Sequence, residues 1–458
     1  MRKVLSMNIG VKATALALSL VVGQVAFTQL QADIGWESSS QAHAKDDKSK
    51  AREKARRTPA LRNKVYEKLQ EAQGSAEAKD YRKAKKVLDS MVAAGGKRTL
   101  NSYELANVYN LYAYIYYAQE NYAKALQSYQ QVIKQPDIPE AMEVNTKYTI
   151  AQLYFVQEKW SQGIKALQDW FRVTDKPNAN AYILLGQGYY QLKDYRKALQ
   201  NTQKAINMYK EAGKTPKEQW YNLARFLYFE KGDIPNTIAT LEILLRLYPK
   251  KSYWVQLSHM YGEQKKETKQ LAAMETAYVQ GMLNKGTEEV TMAYLYLNGD
   301  VPYKAAKVMD KGLKRGTVVK KSKNYEILGN SWAQAQELKK AIPAMEEAAK
   351  TSDSGELYAR LGSIYLEHDK NKKAISSINK ALSRGGVKRP DTARLILGMA
   401  YFNTHQYGKA RKAFVAAGKD KRSERYAKQW IKYMDGEIAR QKKLEEEEQA
   451  DAGTVAQG

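Results

Sequence analysis

The 458-residue sequence contains no cysteine, only four histidines, and few residues that interrupt helices. Without cysteine the chain can form neither a disulfide nor a lipid-modified N-terminal cysteine. Ten prolines and 28 glycines are few for this length, and no segment alternates apolar and polar residues as a half-buried strand does. These absences exclude a disulfide scaffold, argue against a β fold, and predict an all-α protein.

Residue patterns typical of enzymes and metal sites are also missing. The segment GQG at 186–188 follows no predicted strand, and AAGGKRT at 93–99 lacks the upstream glycine of a phosphate-binding loop. No nucleophile motif or carboxylate pair stands out. The four histidines lie far apart and lack the spacing of metal ligands: His43, His259, His368 and His405. We therefore predict no catalytic residue, metal, cofactor or enzymatic activity.

A repeated pattern of aromatic and small residues runs through most of the chain. In ten units one position, which we call the marker position, recurs at steps of 33 to 41 residues. It is occupied by Ser75, Tyr116, Tyr154, Tyr189, Tyr228, Tyr261, Tyr296, Trp332, Tyr365 and Tyr401. Small residues stand three positions before it or nine after it, as at Ala113, Ala125, Ala151, Gly186, Ala198, Gly329, Gly362 and Gly398. Because residues three, four and seven apart share a helix face, each unit predicts a helical hairpin with a tight contact between its two helices.

The period and the small-x-x-aromatic spacing resemble the tetratricopeptide repeat (TPR), a helix-turn-helix unit of about 34 residues. The resemblance spans residues 60–420. It implies a right-handed α-solenoid of about ten TPR-like hairpins. A further helix is predicted at 421–447, because Tyr426, Trp430, Met434 and Ile438 stand four apart and would cap the last repeat.

The resemblance also implies which side chains line the concave groove. These occupy the second, fifth, ninth and twelfth places of the first helix: Asn110, Tyr114, Tyr117, Gln152, Phe155, Gln187, Tyr190, Asn222, Phe226 and Phe229. Amides can bond a peptide backbone and aromatic rings supply apolar contact. The alternative is that long second helices cover some of them. A clamp for C-terminal carboxylates, which in this family uses a lysine at the fifth place and an asparagine at the ninth, is not expected. No lysine stands at a fifth place, and the one ninth-place asparagine, Asn330, has Glu326 at the fifth place of its repeat.

The two ends of the chain have a different composition from the repeats. Basic residues precede an apolar run at 13–27, which predicts a signal peptide at 1–32 and a periplasmic protein. The alternative is an uncleaved membrane anchor, and a cleavage site near Ala44 remains open beside Ala32. Residues 33–59 are a polar basic linker, and 448–458 are predicted to be a disordered tail.

The charge is strongly unbalanced, at +26 for the whole chain and +23 without the three bases of residues 1–32. Such an excess suits nucleic acid, anionic lipid or acidic protein. Export makes nucleic acid the least expected partner, and no nucleic-acid-binding module is recognisable. An anionic envelope surface therefore remains a candidate partner.

The overall layout resembles periplasmic TPR proteins associated with TonB-ExbB-ExbD systems. The resemblance rests on a signal peptide, a basic linker, TPALRNKVYEKLQEAQ at 58–73, about ten degenerate repeats and a Glu-rich tail. It implies a scaffold whose protein partners include TonB-system components and which supports uptake of iron complexes. One alternative is an adaptor for cell-wall or outer-membrane assembly, and another is a repeat protein with an unrecognised hydrolase site. The sequence leaves the oligomeric state open.

Overall fold

A computed structural model describes residues 59–95, 99–136 and 138–455. Every regular element in these ranges is an α-helix, so the predicted all-α class is confirmed. The predicted signal peptide at 1–32 and the linker at 33–59, except its last residue, lie outside the described residues, as does His43. No helix among the described residues is long and apolar enough to cross a membrane.

The described residues form 21 helices. The first ten are α1 Asn63–Glu77, α2 Tyr81–Val92, α3 Ser102–Ala118, α4 Tyr122–Lys134, α5 Glu140–Val156, α6 Trp160–Phe171, α7 Ala179–Gln191, α8 Tyr195–Glu211, α9 Glu218–Glu230 and α10 Ile234–Leu247. They are followed by α11 Lys251–Glu263, α12 Glu267–Val279, α13 Gly286–Asn298, α14 Pro302–Arg315, α15 Ser322–Gln334, α16 Leu338–Lys350, α17 Glu356–Glu367, α18 Asn371–Arg384, α19 Pro390–Asn403, α20 Tyr407–Ala417 and α21 Lys421–Val455.

The contacts divide the chain into two compact units, with the boundary between Thr240 and Leu241 inside α10. In each unit consecutive helices pair as antiparallel hairpins, and each hairpin packs on the next. We call the first helix of a hairpin its A helix and the second its B helix. This serial stacking is the architecture of an α-solenoid.

The turn between the A and B helices has the same backbone conformation in every hairpin. The residue four positions after the marker position lies in the left-handed region: Lys79, Glu120, Glu158, Lys193, Gly232, Lys265, Asp300, Gln336, Asp369 and His405. One position later a backbone N–H donates to the carbonyl of the marker residue, as from Asp194 to Tyr189 at 2.9 Å. This is the Schellman arrangement that closes a helix. The repeat register is therefore the same in all ten hairpins.

Small residues let the two helices of a hairpin approach closely. A Cβ atom added to Gly186 on α7 would lie 2.5 Å from Thr202 Oγ1 and 3.3 Å from the carbonyl oxygen of Ala198 on α8. Ala198 and Ala113 are fully buried. Gly329, Gly362 and Gly398 are in the same situation, since an added Cβ would overlap Met345, Ile378 and Phe414 respectively. A larger residue would push the helices of the hairpin apart.

The marker tyrosines connect each hairpin to the one before it. Seven of their hydroxyl groups hydrogen-bond a side chain on the preceding B helix, and the pairs are Tyr154–Gln130, Tyr189–Gln168, Tyr228–Gln203, Tyr261–Glu242, Tyr296–Glu275, Tyr365–Glu346 and Tyr401–Asn379. Lys304 Nζ also donates to Glu275 at 2.7 Å, and with the Tyr296 bond it lowers the pKa of that carboxyl. The rings of Tyr154 and Tyr189 are half-buried, whereas Tyr365 and Trp332 are 3% and 5% exposed.

The last helix, α21, packs on the last hairpin. Met434 is fully buried there, and Trp430 stacks on Phe414 with ring centroids 5.7 Å apart. Tyr426, expected in the same stripe, is 58% exposed. The helix also continues to Val455, past the predicted end at 447 and into the segment predicted to be a disordered tail. Residues 421–455 contain no proline that would end the helix earlier.

A buried carboxylate ties α21 to α19. Asp391, 1% exposed, accepts hydrogen bonds from Arg389 Nη2 at 2.7 Å and from Ser423 Oγ at 2.8 Å. The Arg389 guanidinium holds the pKa of this carboxyl well below its usual value. The N-terminal position of Asp391 on α19 also favours its negative charge.

Substitution of Gly186 tests the close approach of α7 and α8. Gly186→Leu is expected to destabilise the protein by about 1–3 kcal/mol or more, because the contacts of an added Cβ include backbone atoms of α8. Gly74→Leu on α1 is the matched control, since nothing lies within 4 Å of a Cβ added there. Thermal and denaturant unfolding measure both variants. Equal midpoints for the two variants would contradict the assigned helix contact.

Asp391→Asn tests the attachment of α21. At neutral pH the loss of the charge-assisted bonds is expected to destabilise the protein by about 1.5–3 kcal/mol. Because the folded-state pKa of Asp391 is lowered, its stabilising effect is full above the unfolded pKa of about 3.9 and is lost as the pH falls through the folded value. The difference between wild type and variant should therefore shrink in acid.

Asp435→Asn provides the control for this pH dependence. Asp435 pairs with Arg411 at the surface, where both side chains are nearly half exposed, so its loss should change stability little at any pH. Denaturant unfolding at several pH values would compare the two variants. A difference between wild type and Asp391→Asn that does not depend on pH would show that its ionisation is unimportant.

Candidate partner-binding surface

The groove residues predicted from the sequence all lie on A helices of unit 1, but they do not form one continuous surface. Two separate features contain four of the eight that are not buried. The first is a small cavity between α1 and α3. The second is a cluster of aromatic rings where α7, α8 and α9 meet.

Asn110 and Tyr114 line the cavity, whose volume is ≈ 120 Å³. The remaining lining residues are Leu69, Gln73, Glu77, Asn107 and Leu111. Asn107 is 5% exposed and donates to the carbonyl of Tyr103 at 2.8 Å, which fixes one wall. The described residues offer no hydrogen-bond partner to the side chain of Asn110, so its amide can bond a ligand. The lining residues of the cavity include one acidic residue, Glu77, and no basic residue.

The aromatic cluster consists of Tyr190, Tyr195 and Phe226. Phe226 meets Tyr190 edge to face with centroids 5.4 Å apart, and Tyr195 stacks on Tyr190 at 6.1 Å. All three rings are partly exposed. The TPR resemblance implies that Tyr190 and Phe226 line the groove, whereas Tyr195, on the second helix of its hairpin, is not among the predicted groove residues. Its position at the start of α8, directly after the turn, places it beside the end of α7.

Two predicted groove residues are buried, and their assignment to the groove is wrong. Phe155 is 1% exposed and Gln152 is 2% exposed. The Phe155 ring occupies the space above Gly163 on α6 and Gly188 on α7, since a Cβ added to either would lie within 3 Å of it. The missing side chains of these two glycines allow the ring to enter the interior between neighbouring hairpins.

The other predicted groove residues are partly buried by neighbouring side chains. Tyr117 packs against Tyr122 at 5.6 Å, and burial raises the pKa of its hydroxyl. Gln187 has a buried Oε1 atom with no hydrogen-bond partner among the described residues. Asn222 accepts a long 3.4 Å hydrogen bond from Arg225 Nε. Phe229 is partly exposed at the end of α9.

Sequence reasoning missed a larger open cavity on another face of unit 1. Its volume is ≈ 870 Å³, and it lies where α2 and α4 flank α3. Tyr112 and Tyr116 stack at its base, and the hydroxyl of Tyr112 donates to Asp89. Burial and this bond raise the pKa of Tyr112. The one indication of this cavity in the sequence is the spacing between the marker residues Ser75 and Tyr116, which is the longest between successive markers.

The described residues contain no group of three or more His, Asp or Glu side chains placed to hold a metal ion. His405 Nδ1 lies 2.9 Å from the hydroxyl of Tyr407, which is its neighbour in the same turn. The surfaces found above consist of amides, aromatic rings and isolated charges. Such groups suit non-covalent recognition.

The family comparison agrees with the repeat geometry. Residues 106–135 and 355–384 match the tetratricopeptide repeat model. These segments correspond to the hairpins α3/α4 and α17/α18. The chain therefore contains TPR repeats, a motif of protein-protein interaction scaffolds. No curated protein matches the chain.

Several solved structures are similar in fold. MamA protein is 19% identical over 37% of this chain and 90% of its own, with a TM-score of 0.32. YrrB, described as a TPR protein with an unusual peptide-binding site, is 15% identical over 38% of this chain and 84% of its own, with a TM-score of 0.32. The TPR2AB-domain:pHSP90 complex of yeast Sti1 is 15% identical over 59% of this chain and 99% of its own, with a TM-score of 0.33. These similarities concern the fold alone.

A pair of phenylalanine variants tests the division between interior and surface. Phe155→Ala is expected to cost about 3–5 kcal/mol, as for other fully buried aromatic residues. Phe229→Ala removes the same atoms from a partly exposed position and should cost clearly less. Urea unfolding of the two variants gives the comparison. Similar losses would mean that Phe229 is as well packed as Phe155.

Proposed function

We propose that this chain is a non-enzymatic periplasmic scaffold that holds a segment of a protein partner against the A helices of unit 1. On this proposal the scaffold supports TonB-dependent energy transduction and the uptake of iron complexes. The presence in unit 1 of both an amide-lined cavity, between α1 and α3, and a partly exposed aromatic cluster, on α7, α8 and α9, carries the proposal.

The two features would contribute different interactions. Gln73 and Asn110 stand at the cavity, where their amides can donate to and accept from the backbone of an extended segment. Tyr190 and Phe226 offer ring faces and edges to an apolar side chain. Glu77 is the charged residue of the cavity, so a neutral or basic segment is favoured over an acidic C-terminus.

The assignment to the TonB system is supported by the layout of the sequence. The predicted signal peptide, the basic linker, the degenerate repeats and the Glu-rich tail resemble TPR proteins that accompany TonB-ExbB-ExbD complexes. A stack of rigid hairpins suits a component that keeps partners in place while another component supplies energy.

An adaptor for cell-wall or outer-membrane assembly is the alternative. The observation in its favour is the net charge of +26, which the amide-lined cavity leaves unexplained. An anionic envelope partner would account for that excess.

The proposal predicts an iron-dependent growth defect. Deletion of the gene should slow growth on scarce chelated iron and leave iron-replete growth nearly unchanged. Gln73→Ala with Asn110→Ala should reproduce the defect, because both side chains line the cavity and neither is part of a buried cluster. Growth rates and uptake of labelled iron complexes measure the effect, and crosslinking before lysis should recover a TonB-system component.

Gln127→Ala with Gln131→Ala is the matched control. It also removes two amides from unit 1, but these line the other cavity. Normal abundance and helicity of all variants must be established first. If the deletion strain takes up iron complexes at the normal rate and crosslinking recovers no TonB-system component, the transport role is wrong and the assembly adaptor becomes preferable. A defect of equal size in the control would place the partner on the other face.

A further inference from the structure

The loops that follow the B helices lie along one edge of unit 2. We call this the loop edge, formed by residues 248–250, 280–285, 316–321, 351–355, 385–389 and 418–420. Hydrogen bonds join successive loops or the residues beside them: Lys251 Nζ to Asn284 Oδ1 (2.8 Å), Arg315 to Glu289, Ser322 Oγ to the carbonyl of Ala348 (2.7 Å), Gly355 N to the carbonyl of Gly385 (2.8 Å) and Ser423 Oγ to Asp391 Oδ2 (2.8 Å). The edge is therefore continuous within the unit.

The turns between A and B helices lie at the other end of the same helices. We call this the turn edge, formed by residues 264–266, 299–301, 335–337, 368–370 and 404–406. The loop edge contains seven lysines and arginines against two aspartates, whereas the turn edge contains three bases and three acids. Positive charge is therefore concentrated on one end of the hairpins.

Exposed aliphatic side chains accompany this charge. Val279 is 75% exposed and Val319 is 67% exposed, which makes them the two most exposed large hydrophobic residues in the described part of the chain. Leu247, beside the first loop, is 39% exposed. Val319 lies within the loop edge and the other two end the helices that lead into it.

The loop at 316–321 is held firmly, so the exposure of Val319 is a fixed feature. Val318 beside it is 1% exposed in the hydrophobic core. The carbonyl of Val319 accepts hydrogen bonds from Asn324 Nδ2 at 2.8 Å and from Lys321 N at 3.0 Å. The backbone is thus fixed from inside while the Val319 side chain points away from the core.

Lys320, Lys321 and Lys323 follow Val319 within four residues and are all exposed. Among the described residues, none of these three ammonium groups has an ion-pair partner, in contrast to Arg315, which pairs with Glu289. Their charge is available to an external partner. No cavity among those found in the described residues is lined by the loop edge, so a flat partner suits it better than an extended peptide that needs a groove.

We infer that the loop edge of unit 2 docks on the surface of an anionic phospholipid bilayer. Lys320, Lys321 and Lys323 would meet the phosphate groups, and Val319 would enter the interface between headgroups and acyl chains. Basic residues beside an exposed apolar side chain are the combination that peripheral proteins use at such surfaces. The inference is independent of the cavity and the aromatic cluster of unit 1.

The absence of cysteine allows a direct test in the full chain. Val319→Cys gives one thiol for an environment-sensitive fluorophore, and Gln334→Cys, at the exposed end of α15 directly before the turn edge, gives a matched label at the opposite end of that helix. Vesicles of equal parts phosphatidylglycerol and phosphatidylcholine should blue-shift and brighten the label at 319 and leave the label at 334 unchanged. Vesicles of phosphatidylcholine alone should have no effect on either label. The label reports local contact, so attachment through residues 13–27 would not reproduce this contrast.

Charge variants then identify the groups responsible. Lys320→Gln, Lys321→Gln and Lys323→Gln together should weaken the vesicle response of the 319 label at least about tenfold. Lys265→Gln, Lys266→Gln and Lys370→Gln remove the same charge from the turn edge and should change it little. Circular dichroism and thermal unfolding establish that each variant is folded.

Several outcomes would overturn the inference. A 319 label that ignores anionic vesicles would exclude docking at this edge, as would equal responses at 319 and 334. If both charge variants lost the same amount of the vesicle response at the 319 label, only the net charge of the protein would matter. If soluble polyglutamate alters the 319 label as strongly as vesicles do, the partner is an acidic polypeptide.

Discussion

The close approach of two helices at a small residue is the constraint on which this fold depends. At Gly186, Gly362 and Gly398 even one additional carbon would overlap the facing helix, and Ala113 and Ala198 are buried completely at equivalent contacts. A hairpin closed in this way has two short helices and cannot bury both of its faces alone. Stacking on the next hairpin is then required, and the marker tyrosines connect the hairpins by bonding the preceding B helix.

The hairpins were predictable from the sequence because a packed contact between helices demands the same residue sizes in every repeat. The turns were harder to recognise. Nine of the ten left-handed turn residues are not glycine, so the usual glycine signal is present only at Gly232. Lysine, aspartate and glutamine occupy most of these positions, and their backbone strain is offset by the hydrogen bond that closes the A helix. The register of the marker position nevertheless gives their locations.

The candidate site was only partly predictable. Helical spacing determines which side chains of one helix share a face, and Asn110 and Tyr114 do line the same cavity. The contact of Tyr190 on α7 with Phe226 on α9 depends instead on how neighbouring hairpins stack. Spacing does not determine depth. Phe155 occupies a groove place in the repeat, yet it is buried because Gly163 and Gly188, on two other helices, leave room for its ring. That burial depends on residues outside its own helix, which a pattern within one repeat does not include.

The hydroxyl groups of the marker tyrosines hydrogen-bond different kinds of side chain in the two units. In unit 1 the partners on the preceding B helix are the neutral amides Gln130, Gln168 and Gln203. In unit 2 three of them are the carboxylates Glu242, Glu275 and Glu346, and burial together with the Glu242 bond raises the pKa of Tyr261 to about 12. The pKa of Glu275 is lowered by its bonds with Lys304 and Tyr296, so protonation of this carboxyl in acid would weaken the junction between α12 and α13.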